Sequence, residues 1–207
     1  MEKDARLQGK RSQAVAEVTR QAMLDAALDA FSDHGYDNTS LRHVADKAKV
    51  SHALFRKHFG SKDALWTASV DHGVDRYAKA LRASARKGDK PTSTIKDQLR
   101  ILLELTATHP ALVRMMVLEG ASGGVRAAYL SEVWHKIGDE HRALFHDAQW
   151  DGALTQFIDG DLFLFVLTSG MIPLALPGLA NSILREDIST KVQQELHIER
   201  LLNVLFK

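Results

Sequence analysis

The chain has 207 residues, 45% hydrophobic and 26% charged, with a formal net charge of +1. That balance fits one or two compact domains with real cores, and it excludes a disordered chain or a global polycation. Cysteine is absent, which excludes disulfides, cysteine-based zinc sites and a cysteine nucleophile.

From Met1 to Arg11 the sequence is polar and charged, without the apolar stretch of a secretory signal. Residues 1–16 read as a flexible arm. Its Lys3, Arg6, Lys10 and Arg11 either add minor-groove or phosphate contacts to a bound nucleic acid or form a solvated tail. The first long helix is expected from about Ala14 to Asp33. Val18, Leu24, Ala27, Leu28 and Phe31 fall on one face and charges on the other. Gly35 is placed to end it as a left-handed cap. Thr39 or Ser40 then caps a short second helix with Leu41, Val44, Ala45 and Ala48 inward. A tight turn follows near Lys49–Val50, and Ser51 caps a third helix reaching about Phe59. Ser61 caps a fourth, with Asp63 in its first turn, where the helix dipole favours negative charge.

Three helices within about 45 residues, the second and third short and joined by a tight turn, have helix-turn-helix spacing. Phe55 and Phe59, four apart, are expected to pack the third helix onto Phe31 and Val44. His52, Ala53, Leu54, Arg56 and Lys57 then face solvent or a partner. Ala53 permits close backbone approach, Arg56 and Lys57 suit phosphates or guanine edges, His52 offers a hydrogen bond, and Leu54 suits a thymine methyl. Residues 1–66 carry 11 Lys+Arg against 9 Asp+Glu, and the remainder 16 against 17. Any nucleic-acid binding must therefore come from a local patch.

Thr19-Arg20, Met23 to Leu28, Phe31, Gly35-Tyr36, Thr39 to Leu41, Val44-Ala45, Ala48, Val50-Ser51, His58-Phe59 and Ser61 to Leu65 together resemble the tetracycline-repressor (TetR/AcrR-type) DNA-binding domain. The resemblance covers about a quarter of the chain. It implies an all-α protein: an N-terminal three-helix DNA-binding domain over residues 17–66, then a larger helical effector-binding and dimerisation domain over 67–207. It implies that Thr39, Ser40 and Lys62 hold DNA phosphates. Ser51 to His58 (Ser51, His52, Ala53, Leu54, Arg56, Lys57 and His58 among them) would enter the major groove, with Arg42 completing the surface. The implied activity is a cytoplasmic, dimeric transcriptional repressor, not an enzyme, released from a palindromic double-stranded operator by a small molecule and needing no cofactor. A helical protein-interaction module that kept the fold without operator binding is the alternative. Two positions depart from the family pattern. Lys49 stands where Gly is usual in the turn, at a cost of about 1 kcal/mol for a left-handed residue, so the turn is expected to relax slightly. Arg56 stands where Tyr is usual, which leaves open whether it contacts a base or a phosphate.

Beyond Ser61 every segment reads as helix. The run Leu162 to Leu176 is too short for a membrane span and is interrupted by Gly170 and Pro173. The resemblance assigns dimerisation to the last two long helices, here about Ala153–Leu176 and Ser182–Phe206. The first is apolar nearly all round, and the second has a seam at Val192, Leu196, Leu201, Leu202 and Leu205, with Glu195 and Glu199 outside. Trp66, Tyr77, Met115, Met116, Tyr129, Trp134 and Phe145 are candidate walls of an effector cavity, which favours an apolar or aromatic ligand. His135, Asp139 and Arg142 share a helix face, followed by His141, His146 and Asp147. The five-residue spacing of His141 and His146 does not match a helical zinc motif, and no metal site is expected.

Overall fold

A computed structural model describes residues 2–84, 91–150 and 160–206. Its described elements are ten helices: α1 (Glu2–Asn38), α2 (Leu41–Lys47), α3 (His52–Phe59), α4 (Lys62–Ser84), α5 (Pro91–Thr108), α6 (Ala111–Ser122), α7 (Gly124–Trp150), α8 (Gly160–Ala175), α9 (Pro177–Ile183) and α10 (Lys191–Leu205). The chain divides into two units, Met1–Val74 and Asp75–Lys207, and the division falls inside α4. No single described helix is long and apolar enough to cross a membrane.

In the first unit the packed face of α1 begins at Met23 and includes Leu24, Ala27, Leu28 and Phe31. Val18, expected on that face, is 67% exposed. The residues read as a flexible arm belong, from Glu2 on, to α1, which runs without a break before Gly35. The reason is local. Glu, Lys, Ala, Arg, Leu and Gln dominate residues 2–16, and these lose little freedom in a helix, so continuation costs little even without packing. Gly35 (φ 74, ψ 170) breaks the helical path in the positive-φ region, where a side chain is disfavoured. Val44 and Ala45 of α2, Phe55 and Phe59 of α3, and Leu65, Trp66 and Val70 of α4 complete the core.

In the second unit α5 packs against α7, α8 and α10, and α6 against α7 and α8. The core joins Leu99 and Leu103 of α5, Leu112 and Met115 of α6, and Leu130 of α7. Phe163, Leu167, Met171 and Leu174 of α8 meet Ile198, Leu202 and Leu205 of α10 in the same core. Gly170 permits the close approach of α8 and α10: a Cβ there would fall 2.2 Å from Leu201 Cδ2. In the same place the His197 ring donates from Nε2 to the Gly170 carbonyl, at 2.8 Å. The α6–α7 turn uses Gly123 and Gly124, both at positive φ, and is spanned by Arg126 Nε donating to the buried Glu119 carboxylate at 2.9 Å.

The last helix differs from expectation. The stretch Ser182–Phe206 is not continuous: α9 stops at Ile183 and α10 starts at Lys191. Asn181 and Asp187 capture the backbone between them. Asn181 accepts from the Ile188 N–H (2.9 Å) and donates to Asp187 (2.6 Å), and Asp187 accepts from the Ser189 N–H (2.9 Å). These bonds hold the Asp187 carboxyl below the usual carboxylate range, the Ser189 N–H contributing most. Thr190 then caps α10 through the Gln193 N–H. The expected seam of α10 divides accordingly: Leu202 and Leu205 are buried, whereas Val192 and Leu196 are 65% and 42% exposed. The expected start of the preceding helix at Ala153 lies outside the described residues.

Candidate nucleic-acid interface

Three serines set the geometry. The hydroxyls of Ser40, Ser51 and Ser61 accept the N–H of His43 (3.1 Å), Leu54 (3.2 Å) and Ala64 (3.1 Å), so each begins a helix where a cap was expected. Between α2 and α3 the Val50 N–H returns to the Ala45 carbonyl and the Lys49 N–H to the Asp46 carbonyl, each at 3.1 Å. This pair of bonds is a Schellman motif with Lys49 in its left-handed position, at φ 57. The turn has not relaxed away from the conformation that glycine prefers; the two bonds and the burial of Val44 and Ala45 hold it. Lys49→Gly should therefore raise stability by about 0.5–1 kcal/mol, the relieved left-handed penalty being partly offset by glycine's entropy. Urea denaturation measures it; a lower midpoint would show that the lysine contributes something glycine cannot replace.

Phe55 and Phe59 are the buried residues of α3, their rings 5.1 Å apart. At 100° per residue, Ala53 and Lys57 lie opposite that face, flanked by His52 and Arg56 on one side and Leu54 and His58 on the other. All six are exposed. Arg42, Arg56 and Lys57 make no hydrogen bond or ion pair among the described residues, so their cationic groups are uncommitted. Lys47 differs, lying 3.7 Å from Asp29 and 3.8 Å from Asp33 of α1.

Thr39 does not lie on this surface. It is 2% exposed, its hydroxyl donates to the Gly35 carbonyl at 2.8 Å with the Ala30 carbonyl at 3.1 Å, and its N–H donates to Tyr36. In this position it closes the end of α1, and a phosphate cannot reach its hydroxyl. Ser40 and Ser51 remain exposed while acting as caps. Lys62 is half-buried, donates to the Asp37 carbonyl at 3.1 Å and lies 4.3 Å from the centre of the Tyr36 ring. Tyr36 in turn stacks on Phe31 and donates its hydroxyl to Asp63. Tyr36, Asp37 and Asp63 thus fix the start of α4 against the α1–α2 corner. Sequence reasoning missed that role, although Tyr36 and Asp63 stood in the stretch that carried the resemblance.

The candidate effector residues fall in both units. Trp66 is buried in the first unit. In the second, Tyr77, Met115 and Met116 are buried, Tyr129 and Trp134 are half-buried, and the side chain of Phe145 lies outside the described residues. The Tyr77 hydroxyl lies 3.2 Å from Thr106 Oγ1, and burial pushes its pKa up. A cleft of about 230 Å³ near the start of α10 is lined by Ile188, Gln193, His197 and Arg200 among others. Among the described residues no three His, Asp or Glu gather as metal ligands. The side chains of His141, Arg142, His146 and Asp147 lie outside the described residues.

The family model "Bacterial regulatory proteins, tetR family" matches residues 23–68. The HTH-type transcriptional regulator RutR of Escherichia coli (strain K12) is 36% identical over 115 residues, 56% of this chain and 53% of its own length; the chain thus spans about half of that relative. An uncharacterized HTH-type transcriptional regulator of Haemophilus influenzae is 24% identical over 191 residues, 91% of this chain and 87% of that protein. Among solved structures, AibR in complex with isovaleryl coenzyme A and operator DNA aligns with a TM-score of 0.71 at 17% identity, covering 91% of this chain and 98% of that one. A TetR-like transcriptional regulator from Rhodococcus sp. RHA1 aligns at 0.61 and 20% identity, covering 90% and 93%. The similarity to these two structures is one of fold.

Proposed function

We propose that this chain is a sequence-specific DNA-binding transcriptional regulator, a reading supported by the match of residues 23–68 to the tetR family of bacterial regulatory proteins and by the likeness to RutR. The chain acts as a homodimeric repressor released from a palindromic operator by a small molecule. The observation that carries the reading is α3: seated by Phe55 and Phe59, it presents Ala53, Arg56 and Lys57 with uncommitted charges. A short rigid helix of that kind is what the major groove admits. AibR, alike in fold, was solved with both an acyl-coenzyme A and operator DNA, which supports a small-molecule input here. The buried aromatic and methionine side chains of the second unit favour an apolar or aromatic effector. Fluorescence anisotropy against DNA upstream of the regulator's own gene tests the reading. Saturable binding that outcompetes scrambled DNA and falls steeply with salt is expected; binding indistinguishable from scrambled DNA at every salt concentration would overturn it.

Two reading helices need a dimer to span successive half-sites. Apolar side chains stand exposed on the last helices: Phe165 at 69% and Leu162 at 43% on α8, Ile183 at 74% on α9, and Val192 at 65% on α10. A mate that covers α8 and α10 removes this surface from water. Phe165→Glu should therefore convert the dimer to a monomer in sedimentation and reduce operator affinity more than tenfold, leaving the helical circular dichroism intact. A dimer that persists would move the interface elsewhere.

A further inference from the structure

In the second unit a cleft of about 230 Å³ opens where the α9–α10 turn meets α10. Its wall on α10 is Gln193, His197 and Arg200, which recur at i, i+4 and i+7 and so share one helical face. The turn supplies Leu184, Arg185, Glu186 and Ile188. The hydrogen bonds of Asn181 and Asp187 to Ile188 and Ser189 fix that turn, so this wall is preformed. The polar groups of the cleft are loosely held. Arg200 Nη1 lies 3.3 Å from Glu186 Oε2, in a pair whose side chains are 66% and 52% exposed. A pair so open to water contributes little and exchanges easily for another carboxylate. Arg185 and the Gln193 side chain make no hydrogen bond or ion pair among the described residues. His197 is half-buried, and its bond to the Gly170 carbonyl holds this wall against α8. Leu184 and the buried Ile188 add an apolar surface, and two arginines against one glutamate leave the lining with an excess of positive charge.

We propose that this cleft is a binding site for a small monocarboxylate, lined by none of the buried Tyr77, Met115 and Met116. The ligand's carboxylate takes the place of Glu186 on Arg200, with Arg185 as a second cation and the Gln193 amide as a further donor. Its apolar end lies on Leu184 and Ile188. The planar fork of a guanidinium matches a carboxylate in two parallel hydrogen bonds, which gives the site its preference for that group. The volume falls below the roughly 300–1,000 Å³ of sites for drug-sized molecules. It suits a ligand of benzoate's size and excludes a coenzyme. Binding here does not require the DNA-binding reading to hold.

Isothermal titration of the full chain with benzoate, and with its uncharged isostere benzamide, tests the proposal. Benzoate is expected to bind at one site per chain, about tenfold or more tighter than benzamide. Arg200→Gln should weaken benzoate by about tenfold or more, and Arg185→Gln by a smaller factor. Glu186→Gln should strengthen it by about two- to fivefold, because it removes the carboxylate that competes for Arg200. All three positions are exposed, so each variant should keep the parent's circular dichroism. Benzoate binding that Arg200→Gln leaves unchanged overturns the proposal, as does benzamide bound as tightly as benzoate. Weaker binding by Glu186→Gln than by the parent overturns the exchange at Arg200 and the proposal with it. Absence of saturable binding by acetate, butyrate and benzoate alike overturns it outright.

Discussion

Arg56→Ala and Lys57→Ala will each weaken operator binding by about 5- to 150-fold, the range of 1–3 kcal/mol that a lost base or phosphate contact costs. Both side chains extend from the exposed part of a helix whose buried face is fixed at Phe55 and Phe59, and neither is tied to a protein partner among the described residues. Truncation therefore removes a contact to DNA without leaving an unpaired protein group behind, and stability should change by less than about 0.5 kcal/mol. The two positions are separable. Lys57 lies at the middle of the exposed face, opposite the phenylalanines; Arg56 lies on its flank. If Arg56 reads a base, its loss relaxes preference at one operator position and leaves the salt slope nearly unchanged. If it holds a phosphate, affinity falls uniformly across sequences and the slope drops by about 1. Anisotropy titrations over a panel of single-base operator variants at several salt concentrations distinguish the two. Unchanged affinity in both alanine variants would show that α3 is not the reading element.

Phe55→Ala will cost about 3–5 kcal/mol. Phe55 is fully buried, it packs against Phe59, and α3 has only eight residues. A helix that short owes its stability to packing rather than to its own hydrogen bonds. The loss is a large share of the stability of an ordinary domain, and it should appear as a lower urea midpoint together with loss of operator binding. Phe55→Leu keeps most of the volume and should recover the greater part of both. A variant that binds poorly yet melts as the parent does would mean that Phe55 acts on DNA and not on the core.

The first unit was readable from sequence because its determinants are local. Ser40, Ser51 and Ser61 cap helices within three residues of themselves, and Leu41, Val44, Ala45 and Ala48, like Phe55 and Phe59, recur at helical spacing. What escaped was set by partners distant in sequence or by backbone angles that a side chain does not reveal. Thr39 reads as an exposed hydroxyl until the Ala30 and Gly35 carbonyls are seen to enclose it. Lys49 keeps the left-handed turn because α2 and Val50 hold both ends of it. The periodicity of α10 joined Val192 and Leu196 to Leu202 and Leu205, although the first pair stands in solvent and the second in the core. Apolar spacing shows which residues share a face, and only the neighbouring helices decide which face is covered.

α4 continues unbroken from Lys62 to Ser84, so the amides of Asp75 to Ala78 donate to the carbonyls of Asp71 to Val74. Bonds in the middle of a helix open only when the helix around them opens, whereas its ends fray. Deuterium uptake at these four amides should therefore be slower than at the ends of the same helix.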